Sequence, residues 1–268
     1  MTRFSNLTGL LAISLILGCG SPSEDPSIPR VRIAAASDLQ TVLPKIIEQF
    51  RAKHPIDVQP VFGASGQLAK QIGQGGPFDL FLSANRTFVE DLVAKGAIDR
   101  DSVHPYTRGI LAVAVNPNSG VEVKSLADLA RPEVKKIAIA NPAFAPYGIA
   151  AMQAIERGKL KDVVAPKLVM ADSVRHAFQF VQTGNAEAGL IADSVMSGTD
   201  LQNVYIYPTL YDAIIQYLGV VAQSKHKESA GLFADFLRGE EGQAILKKAG
   251  FARVETAWPD GLPPETTR

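Results

Sequence analysis

Apolar positions along the chain fall into two alternating patterns. Short apolar runs read as buried strands. After most of them, apolar residues recur three and four apart, which reads as an amphipathic helix. The first pair is the clearest. Val31-Arg32-Ile33-Ala34-Ala35-Ala36 dwindles to three alanines and stops at Ser37, after which Leu39, Val42, Leu43, Ile46, Ile47 and Phe50 recur at helical spacing. The pattern predicts a buried strand that turns directly into a helix, with Ser37 near the helix N-terminus.

The same grammar continues. Further strands are expected at residues 56–62, 78–83, 110–115, 137–140, 167–170, 187–191 and 214–221, and two closing helices at 229–237 and 241–248. Ser125-Leu126-Ala127-Asp128 reads as a helix start of the capping-box type. Strands alternating with helices predict an α/β class with mainly parallel sheets flanked by helices. Two lobes are expected, one from residues 31–110 and 216–258 and the other from 111–215, with 259–268 as a C-terminal tail.

Composition narrows the function classes. The 27 Lys and Arg balance the 27 Asp and Glu, so the formal charge is zero, which argues against a nucleic-acid partner. A small anion stays open as a ligand, because backbone amides and hydroxyls bind one without net protein charge. The single cysteine, Cys19, excludes an internal disulfide. Ahead of it, Arg3 and the apolar stretch 7–17 are too short for a membrane span and read as a signal segment, 1–19. Ile16-Leu17-Gly18-Cys19 resembles the bacterial lipoprotein cleavage box. Lipidation of Cys19 and membrane anchoring are therefore expected, with 20–30 as a flexible tether.

Four strand-to-helix turns share small residues: Ala36-Ser37-Asp38, Ala64-Ser65-Gly66, Ala145-Pro146-Tyr147-Gly148 and Asp172-Ser173-Val174. Each alone reads as a capped helix. Together, two from each lobe facing across a cleft would present hydroxyls and helix-start amides to one point, an arrangement that suits a tetrahedral oxyanion. Enzyme motifs fail: Gly63-Ala64-Ser65-Gly66-Gln67 lacks the last glycine of a nucleophile elbow, and the four histidines show no metal-ligand spacing. No enzyme, no cofactor and no side-chain metal site are expected.

At this point the residues resemble a known family, the molybdate-binding proteins of bacterial molybdate ABC transporters. The resemblance spans about residues 31–254. It rests on Ala34-Ala35-Ala36-Ser37, Phe62-Gly63-Ala64-Ser65-Gly66-Gln67-Leu68, Phe78-Asp79-Leu80-Phe81-Leu82-Ser83-Ala84-Asn85, Asn141-Pro142-Ala143-Phe144-Ala145-Pro146-Tyr147-Gly148 and Gly184-Asn185-Ala186-Glu187-Ala188-Gly189. It implies a type II periplasmic-binding-protein fold, two lobes closing on molybdate or tungstate, outside the cytoplasm. The implied partners are a membrane ABC permease, the oxyanion and a lipid anchor, with the protein acting as a monomer. Carried over by position, Ser37 and Ser65 supply hydroxyl and amide donors, and Tyr147 and Val174 supply amides, their side chains mattering less. Many members carry a tyrosine where this chain has Ala192, so that hydroxyl donor is missing. Asp38 is expected to turn its carboxylate away from a dianion. Sulfate or phosphate as ligand, a small-anion enzyme and a ligand sensor are the competing readings.

Overall fold

The computed structural model describes residues 28–256. Among them, the strands are β1 (Arg30–Ala36), β2 (Asp57–Gly63), β3 (Leu80–Ser83), β4 (His104–Gly109), β5 (Leu111–Val115), β6 (Ile137–Ala140), β7 (Leu168–Ala171), β8 (Ala188–Ala192), β9 (Gln202–Tyr205) and β10 (Ile214–Val220). The α-helices are α1 (Leu43–Arg51), α2 (Ser65–Gly73), α3 (Arg86–Ala94), α4 (Pro146–Arg157), α5 (Lys161–Val164), α6 (Val174–Gln182), α7 (Lys227–Arg238) and α8 (Glu240–Lys248). The signal segment, Cys19, most of the tether and most of the tail lie outside the described residues. β1 begins at Arg30, one residue inside the expected tether.

Two five-stranded sheets form two α/β lobes, ordered β2-β1-β3-β10-β4 and β7-β6-β8-β5-β9. Both sheets are mixed: four of the five strands in each run one way, and one, β10 or β5, runs against them. β1 lies parallel to β2 and β3, but β10 runs antiparallel to β3 and β4. In the second sheet β6 is parallel to β7 and β8, while β5 is antiparallel to β8 and β9. The antiparallel members adjoin the two passages between the sheets, β4 to β5 and β9 to β10. The alternation of strands and helices conveyed the parallel half only.

The two sheets repeat one strand order without an evident sequence repeat, and this sets the functional geometry. Ala36 pairs with Gly63 at the ends of β1 and β2, and Ala140 pairs with Ala171 at the ends of β6 and β7. Each lobe therefore presents two neighbouring carboxyl ends from which the chain turns into helices. The helices are held by ordinary means. α1 buries Leu43, Ile46, Ile47 and Phe50 on one face, and Phe50 meets the edge of Phe233 of α7 at 5.0 Å between ring centres. Burying one such side chain is worth about 1.5–3 kcal/mol.

Candidate functional site

The four turns converge between the lobes. Ala36, Ala64 and Ala84 of the first lobe belong to the same apolar cluster as Ala145, Tyr147, Val174, Ala192 and Tyr211 of the second. The small residues ahead of Ser37 and Ser65 thus let one lobe pack directly on the other. The Gly66 N–H donates to the Phe144 carbonyl across the cleft at 2.9 Å. A Cβ at Gly66 would lie 2.9 Å from the backbone of Phe144, so only glycine permits this approach. The turn at residues 37–39 packs on α6, and Ser194, just beyond β8, donates its hydroxyl to the Asp38 carbonyl at 3.0 Å. Beside α4, an interlobe crevice of about 390 Å³ is lined by Ala84, Arg86, Pro146, Ile149, Asp212 and Tyr217 among others.

Ser37 is buried, but it does not cap an α-helix. β1 runs into a single 3-10 turn, Ser37–Leu39, with Ala36 at its N-cap, and α1 starts only at Leu43. The direct strand-to-helix turn expected from the spacing is therefore corrected. The apolar positions at Leu39 and Val42 fit the helical period while lying in the connecting turns. Ala36 at the N-cap position makes no side-chain capping bond.

Ser65 is the first residue of α2 and almost fully enclosed. Its Oγ accepts the Ala84 N–H at 3.0 Å. One lone pair is thereby engaged and the hydroxyl proton is left to donate elsewhere. In the second lobe, Pro146 opens α4 and has no N–H, so Tyr147 carries the first amide donor of that helix. Val174 is the first residue of α6, whose N-cap Ser173 accepts the His176 N–H at 3.2 Å. First-turn amides have no acceptor within their own helix, and the helix dipole adds to their pull on an anion.

Two side chains take roles that the spacing did not convey. Tyr147 is fully buried and its phenol donates to Asp38 Oδ2 at 2.8 Å, so its side chain is structurally engaged. Asp38 is wholly enclosed, and the Gln216 amide donates to the same Oδ2. Asp38 Oδ1 has no partner. Desolvation raises the Asp38 carboxyl from 3.8 to about 6, against the opposing effect of the Tyr147 and Gln216 bonds. The Tyr147 phenol is pushed well above its ordinary value, first by burial and then by Asp38. Arg175, directly after Val174, lays its guanidinium 4.6 Å from the Phe178 ring centre, and its Nε is buried without a partner. Burial lowers its pKa. Only the adjacency of Val174 and Arg175 in sequence could have drawn attention to that charge. Among the described residues, no group of three His, Cys, Asp or Glu side chains is placed to hold a metal ion.

Comparison with known proteins follows the same lines. The family model described as "Bacterial extracellular solute-binding protein" matches residues 31–252. The chain is 31% identical over 248 residues to the molybdate-binding protein ModA of Azotobacter vinelandii, covering 90% of this chain and 97% of that one. It is 29% identical over 260 residues to a candidate ABC transporter substrate-binding lipoprotein of Bacillus subtilis, covering 91% and 96%. The solved structure of the Azotobacter vinelandii periplasmic molybdate-binding protein superposes with a TM-score of 0.77 at 25% identity, over 83% of this chain and 98% of that one.

Proposed function

The chain belongs to the bacterial extracellular solute-binding proteins, and from that membership we propose that it captures molybdate, and tungstate with it, for delivery to a membrane ABC permease. The observation that carries this reading is the convergence of four turns, two from each lobe. Ser65 has its hydroxyl proton free to donate, and Tyr147 and Val174 carry the first amides of their helices. Ser37, Ser65, Tyr147 and Val174 are the proposed ligands. A tetrahedral dianion takes many hydrogen bonds from fixed dipoles, which a dry interlobe site strengthens. The names of the relatives supply the identity of the anion. Sulfate has the same charge and shape, so discrimination rests on the size of the closed site.

Capture is a closure equilibrium in which the anion binds the closed form more tightly. The lobes are taken as residues 31–110 with 216–258, and 111–215; β10, a strand of the first sheet, begins at Ile214, two residues ahead of that boundary. The protein binds without catalysing, works as a monomer, and is held at the outer face of the membrane by lipid on Cys19. Titration calorimetry with molybdate, tungstate, sulfate and phosphate tests the reading. Tight heats with the first two and weak ones with the others are expected. Binding of sulfate or phosphate without molybdate and tungstate would replace it with the other oxyanion reading.

A further inference from the structure

A chain of buried hydrogen bonds spans the lobes beside the proposed anion site. Tyr106 of β4 donates its phenol to Gln216 Oε1 at 2.6 Å. Gln216 of β10 donates to Asp38 Oδ2, and Tyr147 of α4 donates to the same oxygen from the opposite lobe. Tyr106 and Gln216 lie on the strands that adjoin the two passages between the sheets. The phenol of Tyr147 lies against the first passage itself: a Cβ at Gly109 would sit 2.0 Å from its oxygen and 3.3 Å from Gln216 Nε2. Gly109 therefore reserves the space in which the phenol lies.

This network is a poor choice for lobe packing alone. A fully enclosed carboxylate with one oxygen unpartnered is expensive to bury, and an apolar side chain would fill the space more cheaply. What it achieves is placement. Tyr147 carries the first amide of α4, and fixing the far end of its side chain on Asp38 ties the start of that helix to the first lobe. Asp38 is gripped a second time by the second lobe, through its carbonyl and the Ser194 hydroxyl.

We propose that Asp38 is a positioning residue for closure: held by Gln216, its carboxylate receives the Tyr147 phenol of the opposite lobe in the space left by Gly109, and so sets the α4 amide on the bound anion. The proposal deepens the oxyanion reading and rests on it. The groups facing Asp38 are the phenols of Tyr147 and Tyr106, the amide of Gln216 and the hydroxyl of Ser194. Tyr211 and Asp193 stand nearby, and Arg175 and His176 occupy the first turn of α6, which packs on the 37–39 turn. The two phenols remain protonated near neutrality, since burial raises both well above their ordinary values. A dianion beside Asp38 favours its protonated form, and that proton can sit on Oδ1 without disturbing either bond at Oδ2.

The test uses the intact protein and four variants. Tyr147→Phe deletes only the hydroxyl. It is expected to weaken molybdate affinity about tenfold or more, chiefly through faster release, and Asp38→Ala to do the same. Asp38→Asn retains an acceptor oxygen and is expected to restore tight binding. Wild-type affinity should fall as pH rises through about 6, and Asp38→Asn should flatten that component. Gly109→Ala should mimic Tyr147→Phe. Small-angle scattering without ligand gives an independent arm, in which Tyr147→Phe is expected to enlarge the radius of gyration. Wild-type release rates in Tyr147→Phe, or equal losses in Asp38→Asn and Asp38→Ala, would overturn the proposal. Should the wild type bind none of the oxyanions, the ligand reading falls, and an unchanged radius of gyration in Tyr147→Phe would then overturn the strut as well.

Discussion

Replacing Ser65 with alanine separates two things that this hydroxyl does. Its oxygen accepts the Ala84 N–H at 3.0 Å inside the protein, and its proton is left for the anion. Losing a donor to a charged ligand costs about 1.5–3 kcal/mol, which is roughly a 10- to 150-fold loss of molybdate affinity. Losing the acceptor strands a buried amide, at about 1–3 kcal/mol of stability. Calorimetric titration reads the first effect, and the melting temperature of the unliganded protein reads the second. Ser65→Thr keeps the hydroxyl and should recover both if the larger side chain is accommodated. A Ser65→Ala protein that melts lower but binds molybdate as tightly as the wild type would refute the donor role and leave Ser65 a purely structural residue.

Three other outcomes follow from the same geometry. Gly66→Ala places a Cβ 2.9 Å from Phe144 of the opposite lobe. The approach to Phe144 is already made in this structure, so molybdate affinity should drop about tenfold and the unliganded melting temperature should fall with it. Asp38 and Asp193 are both raised by burial from 3.8 to about 6. Their contribution to stability is fully present below about pH 4 and is lost as pH rises through about 6. For Asp38 it amounts to about 3 kcal/mol, so urea unfolding at pH 4 and pH 8 should show the wild type losing that much relative to Asp38→Asn as pH rises. Cys19→Ser should release the protein from membranes into the soluble fraction, and retention there would remove the lipid anchor from the account.

What the sequence conveyed and what it hid divide along physical lines. Buried strands such as β6, at residues 137–140, announce themselves because both faces are apolar, and the expected and observed bounds coincide. β4 and β9 carry polar residues along much of their length, His104-Pro105-Tyr106-Thr107-Arg108 and Gln202-Asn203, and neither was expected as a strand. Missing them hid the outer pairings, β4 on β10 and β9 on β5, although β10 and β5 themselves were expected. The four turns that hold Ser37, Ser65, Tyr147 and Val174 follow from small residues at strand ends, a local signal, whereas the choice of Tyr147 and Val174 as donors came from the family resemblance. The bond from Tyr147 to Asp38 joins residues 109 positions apart in sequence. Such a pairing depends on how the lobes meet, and no local pattern encodes it. Asp38 reads as a residue that should avoid an anion, while the structure shows it occupied by donors from both lobes.

Crystals grown with molybdate and measured near the molybdenum absorption edge would locate the bound anion. A single strong anomalous peak enclosed by Ser37, Ser65 and the first amides of α4 and α6 is the predicted result. A peak elsewhere, or none between the lobes at saturating molybdate, would contradict it.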